Sequence, residues 1–487
     1  MKNFLEKLKS KKNIHIVGIS GAEGSAIASF LIGQNFKNIT AHDFCEADKF
    51  KESFFSFHDA LVESEKEKLF SRIKNSNIKM QFKSDYLKGV EEADIIFVPQ
   101  SWFRYEFNKP LNKLFKKVEF CNITKLYFEL CKAPIVAVTG TSGKSTTARL
   151  IYEIFKKEGK REVYFSGNDR ENVQILDKVL EINEEDLLVL EVSNRQLKID
   201  LEKSPHIGVI TNISPNHLDD HKDFDDYMRT KNRLIKYQNE DDIAILNYDI
   251  KDLPNFEIES KAYYFTAKRN LDKGAFLRGS DLVIIVEGRE YKICSSLDLK
   301  LLGKHNIENV LAASLVAVLS EVNTKIIRDA VTEFGGLKSR LELVRELGGV
   351  KYYNDSTACN PEGLEVAIKS FREPIILIAG GVRKKMIPKE IERMAQAIVQ
   401  RKVKGLVLIG QIAEKVKEEV ERKMIEDNVM HPDIKISEDF DKAVKLARKM
   451  SRVGDIVLLS PGFESFDMFS DYRDRANQFK KIVNNLS

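Results

Sequence analysis

The chain has 487 residues, too many for one ordinary core at about 100–200 residues per domain, and three domains are expected. With 43% apolar and 31% charged residues and only 11 prolines, its composition is that of a globular protein rather than a disordered, fibrous or disulfide-stapled scaffold. Lys and Arg exceed Asp and Glu by 78 − 74 = 4, which predicts no polyanion-coating surface and no nucleic-acid partner.

The longest apolar stretch, Asn309 to Ser320, falls short of the roughly 20 residues needed to cross a bilayer, so no membrane partner is expected. The Lys-rich start lacks the apolar segment of a signal peptide. Five scattered cysteines without a CxxC pair predict reduced thiols and the cytoplasm.

Short β-rich apolar runs alternate with helical patterns along the chain, the sequence form of doubly wound α/β domains. The first block has runs at Ile14–Ile19, Asn38–His42 and Ile95–Val98 and closes near Cys131. Its turn Gly18-Ile-Ser-Gly-Ala-Glu-Gly-Ser follows a strand and precedes a helix, as a pyrophosphate turn should, although Ser20 and Glu23 stand where that pattern has glycine. Asp43 ends the second strand. The charged, aromatic stretch from Phe44 to Met80 reads as helical and carries no recognisable chemistry.

The second block opens with Pro134–Val138 and the segment Val136-Ala-Val-Thr-Gly-Thr-Ser-Gly-Lys-Ser-Thr-Thr. A buried strand, a glycine turn and a helix start aim free N–H groups and a positive helix end at an anion. Gly140, Thr141, Ser142, Gly143 and Thr146 line this loop, Lys144 can reach the β and γ phosphates of ATP, and Ser145 can hold magnesium. Strands at Leu187–Val192, Gly208–Ile213 and Ile243–Asn247 and helices over 305–333 complete the block. Gly335 and Gly336 make a hinge, and the third block has strands at Lys351–Asn354, Ile375–Ile378, Leu406–Ile409 and Ile456–Leu459.

The loop is shorter than the general GxxxxGK[ST] pattern, and its GTxGK[ST]T form resembles that of the Mur ligases and the related folylpolyglutamate synthetases. Glu191-Val-Ser-Asn-Arg-Gln-Leu resembles the family's E-x-S-x-x-Q-L, which implies that Glu191 binds magnesium. Thr211-Asn-Ile-Ser-Pro-Asn-His-Leu-Asp-Asp-His, followed by Tyr227-Met-Arg-Thr-Lys, is similar to a segment implying His217 near a second magnesium and a carbamylated Lys231, with His221 structural. Gly303-Lys-His-Asn-Ile-Glu-Asn-Val-Leu-Ala-Ala resembles a helix start that sets Asn306 against adenine; the alternative reading is that Asn306 caps that helix while Ala312 and Ala313 pack in a core. By the same likeness Arg340 faces the ATP phosphates and Asp355 the ribose, and Ser339 replaces the family's histidine.

Asn354-Asp-Ser-Thr-Ala-Cys-Asn-Pro-Glu and the long Leu459-Ser-Pro-Gly-Phe-Glu-Ser-Phe-Asp-Met-Phe-Ser-Asp-Tyr-Arg-Asp-Arg-Ala resemble the members that add D-glutamate. That implies Lys384, Ser465 and Tyr472 at the D-glutamate carboxylates, with Thr357, Cys359 and Phe463-Glu464 as departures. The resemblance implies a UDP-sugar site in the first block, with Ser20, Asp43 and Asn168 as substrate or turn residues. The turn at Gly18 looks closer to the L-alanine-adding relatives, so that activity and a folylpolyglutamate-type ligase stay as alternatives, and a non-ligase P-loop protein is a further one.

The expectation is therefore an α/β chain of three domains: a Rossmann-like substrate domain (1–131), a central P-loop mononucleotide-binding domain (132–334) and a Rossmann-like amino-acid domain (335–487). The activity implied is ATP- and Mg2+-dependent joining of D-glutamate to UDP-N-acetylmuramoyl-L-alanine through an acyl phosphate, by a cytoplasmic monomer, in peptidoglycan precursor synthesis. Arg340 would reach the phosphates by closure of the third block, which would also keep water from the acyl phosphate.

Overall fold

The computed structural model describes residues 2–167, 172–214, 220–251, 256, 258–383, 388–430 and 432–487. Among them three sheets form, one for each expected block.

The first sheet comprises β1 (Ile14–Val17), β2 (Ile39–Asp43), β3 (Lys79–Phe82), β4 (Ile95–Phe97) and β5 (Glu119–Cys121) in the order β3-β2-β1-β4-β5, all parallel. The second comprises β6 (Ile135–Thr139), β7 (Val163–Ser166), β8 (Leu187–Glu191), β9 (Ile207–Ile210), β10 (Ile243–Asn247), β11 (Lys261–Thr266), β12 (Gly274–Arg278), β13 (Asp281–Val286) and β14 (Arg289–Ser295). Its order is β14-β13-β12-β11-β10-β9-β6-β8-β7, with β6 in the buried interior and an antiparallel β12-β13-β14 meander at one edge. The third has β15 (Glu342–Leu347), β16 (Val350–Asn354), β17 (Ile375–Gly380), β18 (Gly405–Ile409), β19 (Asp433–Ile436) and β20 (Ile456–Gly462), ordered β15-β16-β20-β17-β18-β19. Only β15 runs antiparallel there.

Strands such as β1, β6, β8, β17 and β18 are buried at every residue because helices cover both faces, which is why their sequences are unbroken apolar runs. The chain divides into two compact units, residues 1–297 with 308–331, and residues 298–307 with 332–487. In the first, one continuous core runs from Phe4 through Ile14 and Phe97 to Ile135, Leu188 and Ile250, so the first two sheets share a hydrophobic interior. Helix Ile123–Leu130 is buried at all eight positions in that interior, and the Asn122 side chain caps it by accepting the Lys125 N–H. In the second unit, apolar clusters cover both faces of the sheet.

The stretch expected to be helical after Phe44 folds as helices Phe50–Ser56 and Glu63–Lys74 but ends in β3. Lys79-Met-Gln-Phe is a half-exposed edge strand, whose sequence carries no apolar run.

Candidate active site

The phosphate loop lies where β6 passes into helix Lys144–Glu158, and its shape is held from the neighbouring strand β9. Gly140 adopts φ 154°, and a Cβ there would lie 1.9 Å from Thr211 Oγ1, so no larger residue fits. Thr211 Oγ1 donates to Ser142 O at 2.6 Å, Asn212 Nδ2 donates to the same carbonyl at 3.0 Å, and Asn212 Oδ1 accepts the Ser142 N–H at 2.9 Å. Thr141 N–H donates to Asn212 O at 2.9 Å, and Thr141 Oγ1 lies 2.9 Å from Tyr227 OH. Lys144 Nζ folds back on the loop, donating to Gly140 O at 3.1 Å and Thr141 O at 3.2 Å. Buried Thr147 donates to Asn309 Oδ1 at 3.2 Å. The bracing residues Thr211 and Asn212 open the segment Thr211–His221 and Asn309 lies three residues after Asn306, yet their task is not written in residue type.

Lys231 joins this loop. It lies one turn after Tyr227 on helix Phe224–Asn232, so both side chains leave the same face. Its side chain is 0% exposed and its Nζ donates to Gly140 O at 2.8 Å. Burial, and then the charge of Lys144, hold its amine well below the usual lysine range. Glu191 ends β8, paired in register with Val138 of β6, two residues before Gly140. It is buried beside Gly167, where a Cβ would come 3.2 Å from the glutamate Cβ. The His221 ring contacts Asp226 Oδ2 at 3.0 Å and Asn194 Nδ2 at 2.9 Å. His217, Asn168 and Lys384 lie outside the described residues.

At the carboxyl edge of the first sheet, Ser20 and Asp43 meet: Ser20 N–H and Oγ both donate to Asp43 Oδ2, at 2.9 and 2.6 Å. Asp43 Oδ1 accepts the Cys45 N–H at 3.2 Å, so this carboxylate already shapes the turn.

In the second unit, Asn306 Nδ2 donates to Leu302 O at 2.7 Å at the start of helix Lys304–Leu319; Ala312 and Ala313, in the part of that helix that belongs to the first unit, are fully buried. Arg340 is exposed. Asp355 is buried, accepting Ser460 Oγ at 2.9 Å and the Leu341 N–H at 3.2 Å, and burial raises its carboxyl to about 7. Ser339 takes the helix-left conformation (φ 58°), and its carbonyl accepts Thr357 Oγ1 at 2.9 Å, which accommodates threonine at that departure. Gly381 has φ 135°, and a Cβ would sit 2.1 Å from Glu464 O, so the Gly-Gly pair lets β17 pass directly against the 463–465 loop. Ser465 is buried in that loop, and Tyr472 opens helix Tyr472–Asn484, capped by Asp471. Beneath them Arg475, fully buried, donates to Ser356 Oγ and O (both 2.9 Å) and Phe463 O (3.3 Å), with Cys359 Sγ at 3.5 Å.

Residues 138–317 match the family pattern described as the Mur ligase middle domain, and residues 339–463 that of the Mur ligase, glutamate ligase domain. A protein of Acetivibrio thermocellus named UDP-N-acetylmuramoylalanine--D-glutamate ligase is 37% identical over 491 residues, covering 100% of this chain and 99% of its own. The chain belongs to the Mur ligase family. A like-named protein of a Thermoanaerobacter species is 35% identical over 487 residues, covering 99% of each. Among solved Mur ligases, the UDP-N-acetylmuramate-alanine ligase MurC of Thermotoga maritima superposes with a TM-score of 0.59 at 16% identity, covering 97% of this chain and 99% of that one. A pseudomurein peptide ligase type C of Methanothermus fervidus gives 0.56 at 17% identity, covering 98% and 100%. These two share the fold, an α/β architecture of three domains. As a Mur ligase the chain is an ATP-dependent, amide-bond-forming enzyme. No helix among the described residues is long and apolar enough to cross a membrane.

Proposed function

We propose that this Mur ligase joins D-glutamate to UDP-N-acetylmuramoyl-L-alanine, converting ATP to ADP and phosphate, as a cytoplasmic monomer in peptidoglycan precursor synthesis. The observation that carries the reading is the full-length identity to ligases of that name, together with the phosphate loop that Thr211, Asn212 and Lys231 brace. The domains are taken as 1–131 for the UDP-sugar, 132–334 for ATP and 335–487 for the amino acid.

Residues 140–146 cradle the triphosphate through backbone N–H groups, and Lys144 swings from the loop carbonyls to its β and γ oxygens. Arg340 adds a second cation, Asp355 takes the ribose and Asn306 the adenine. The Ser145 hydroxyl, the Glu191 carboxylate and a carbamate on Lys231 are hard oxygen donors that would hold magnesium, with His217 near the second ion, and the metal would neutralise the phosphoryl charge. The γ-phosphoryl passes to the alanyl carboxylate. The amine of D-glutamate, held by Lys384, Ser465 and Tyr472, then attacks the acyl carbon, and the tetrahedral intermediate collapses with loss of phosphate. Ser20, Asp43 and Asn168 hold the UDP-sugar.

A phosphate-release assay with UDP-N-acetylmuramoyl-L-alanine and a panel of amino acids tests this. Release is expected with D-glutamate at least about a hundredfold above L-glutamate and L-alanine, the scale on which unmatched polar groups discriminate. Equal release with L-alanine and UDP-N-acetylmuramate would assign the chain to the alanine-adding activity instead.

A further inference from the structure

The turn after β1 carries a carboxylate where a phosphate-binding pattern has glycine. Glu23 stands in the first turn of helix Ala22–Gly33, and its side chain is buried. Its two oxygens are taken by donors from two different parts of the chain. Oε2 accepts the N–H of Gln100, in the loop after β4, at 2.6 Å; Oε1 accepts Gln196 Nε2 at 2.7 Å. Gln196 Oε1 in turn accepts the Ser193 N–H at 2.9 Å, and Ser193 Oγ donates to Gln100 Oε1 at 2.8 Å. Asn122 Nδ2 fixes the Gln196 carbonyl at 2.7 Å.

This closed network ends two residues after Glu191. A largely buried polar network of this kind favours one arrangement, because others leave a donor or acceptor unmet in a low-dielectric site. Donor and acceptor parity also makes Glu23 specific. Gln196 must present its oxygen to Ser193 N–H and therefore its NH2 to residue 23, which must be an acceptor on that side.

We propose that Glu23 is a positioning residue: through Gln196 and Ser193 it fixes the turn that follows Glu191, and so fixes where that carboxylate stands beside the phosphate loop. This rests on the reading that Glu191 binds magnesium.

The test uses the full-length protein and Mn2+ titrated in the presence of ATP, followed by electron paramagnetic resonance, with thermal melting alongside. In Glu23→Gln the new NH2 must face a donor, either Gln196 Nε2 or the Gln100 N–H, and Mn2+ binding is expected to weaken about tenfold, the scale of lost support behind a metal ligand. Gln196→Glu sets two carboxylates against each other and carries the same expectation, which keeps the test alive if the first variant does not fold. The double variant restores the bond with the roles exchanged, and should return affinity to within about twofold. Unchanged Mn2+ affinity in the single variants, or no recovery in the double, overturns the proposal. Unchanged affinity in Glu191→Gln overturns the metal reading itself, and the proposal with it.

Discussion

Lys231 is a cation by type placed where a cation is disfavoured: fully buried, beside Lys144, with the Gly140 carbonyl accepting its Nζ–H. A depressed amine is richer in the free base, and only the free base can attack carbon dioxide to form a carbamate, losing a proton as it does so. Lys231→Ala is therefore expected to cut ADP formation at least about a hundredfold, in the range seen when an electrostatic group is removed from a transition state. Formate or acetate should restore part of it by replacing the carbamate oxygens. Full turnover without additive would exclude the carbamate role. The likeness of the segment Thr211–Lys231 to the family's points to Lys231 in sequence; its burial does not follow from it. Gln196 stands in a recognised motif, but its partner Glu23 is 173 positions away, and no local pattern links the two.

At the scale of elements, the C-terminal segment is organised by Arg475. From the second turn of helix Tyr472–Asn484 it reaches the 356–359 loop and the carbonyl of Phe463, tying together the segments that carry Ser465, Tyr472 and Asp355. Arg475→Met keeps much of the volume but leaves buried acceptors unmet, which should cost about 2–4 kcal/mol. A urea titration would read this as a lowered midpoint, with KM for D-glutamate rising in the same variant. A midpoint within experimental error of the parent would show that the guanidinium is replaceable. The strands buried at every residue were legible because burial on both faces imposes apolar runs, whereas the half-exposed interior strand β11 was not. The edge strands β3 and β19 and the β12-β13-β14 meander were not, since half-exposed strands admit charged residues that interrupt any run.

For the whole molecule, buried titratable groups set how stability follows pH. Asp355 and Glu23 both have carboxyls raised to about 7 by burial, above their ordinary 3.8 and 4.5. Their folded forms bind protons more tightly than the unfolded chain, so their contribution is complete below about 4 and is lost as pH rises towards 7. His15 and His42 act in the opposite sense. They stack with Nδ1 of His15 and Nε2 of His42 2.8 Å apart, and burial lowers them to about 4 and about 3, so their contribution is complete above 6.5 and is lost as pH falls. Asp355→Asn removes one titration. Melting temperatures from pH 5 to pH 8 should show the parent losing ground to this variant as pH rises, and a constant difference would mean that Asp355 titrates normally.

The phosphate loop, the fully buried strands and the likeness to the family were legible in residue order, because strand, turn and helix start are fixed by consecutive residues and by the apolar runs that two-sided burial demands. Three facts appear only in the folded chain: the first two sheets share one core, Lys231 turns inward to Gly140, and Glu23 meets Gln196. Those facts depend on which distant surfaces meet and exclude water, and desolvation, not residue type, then decides what each buried polar group must bind.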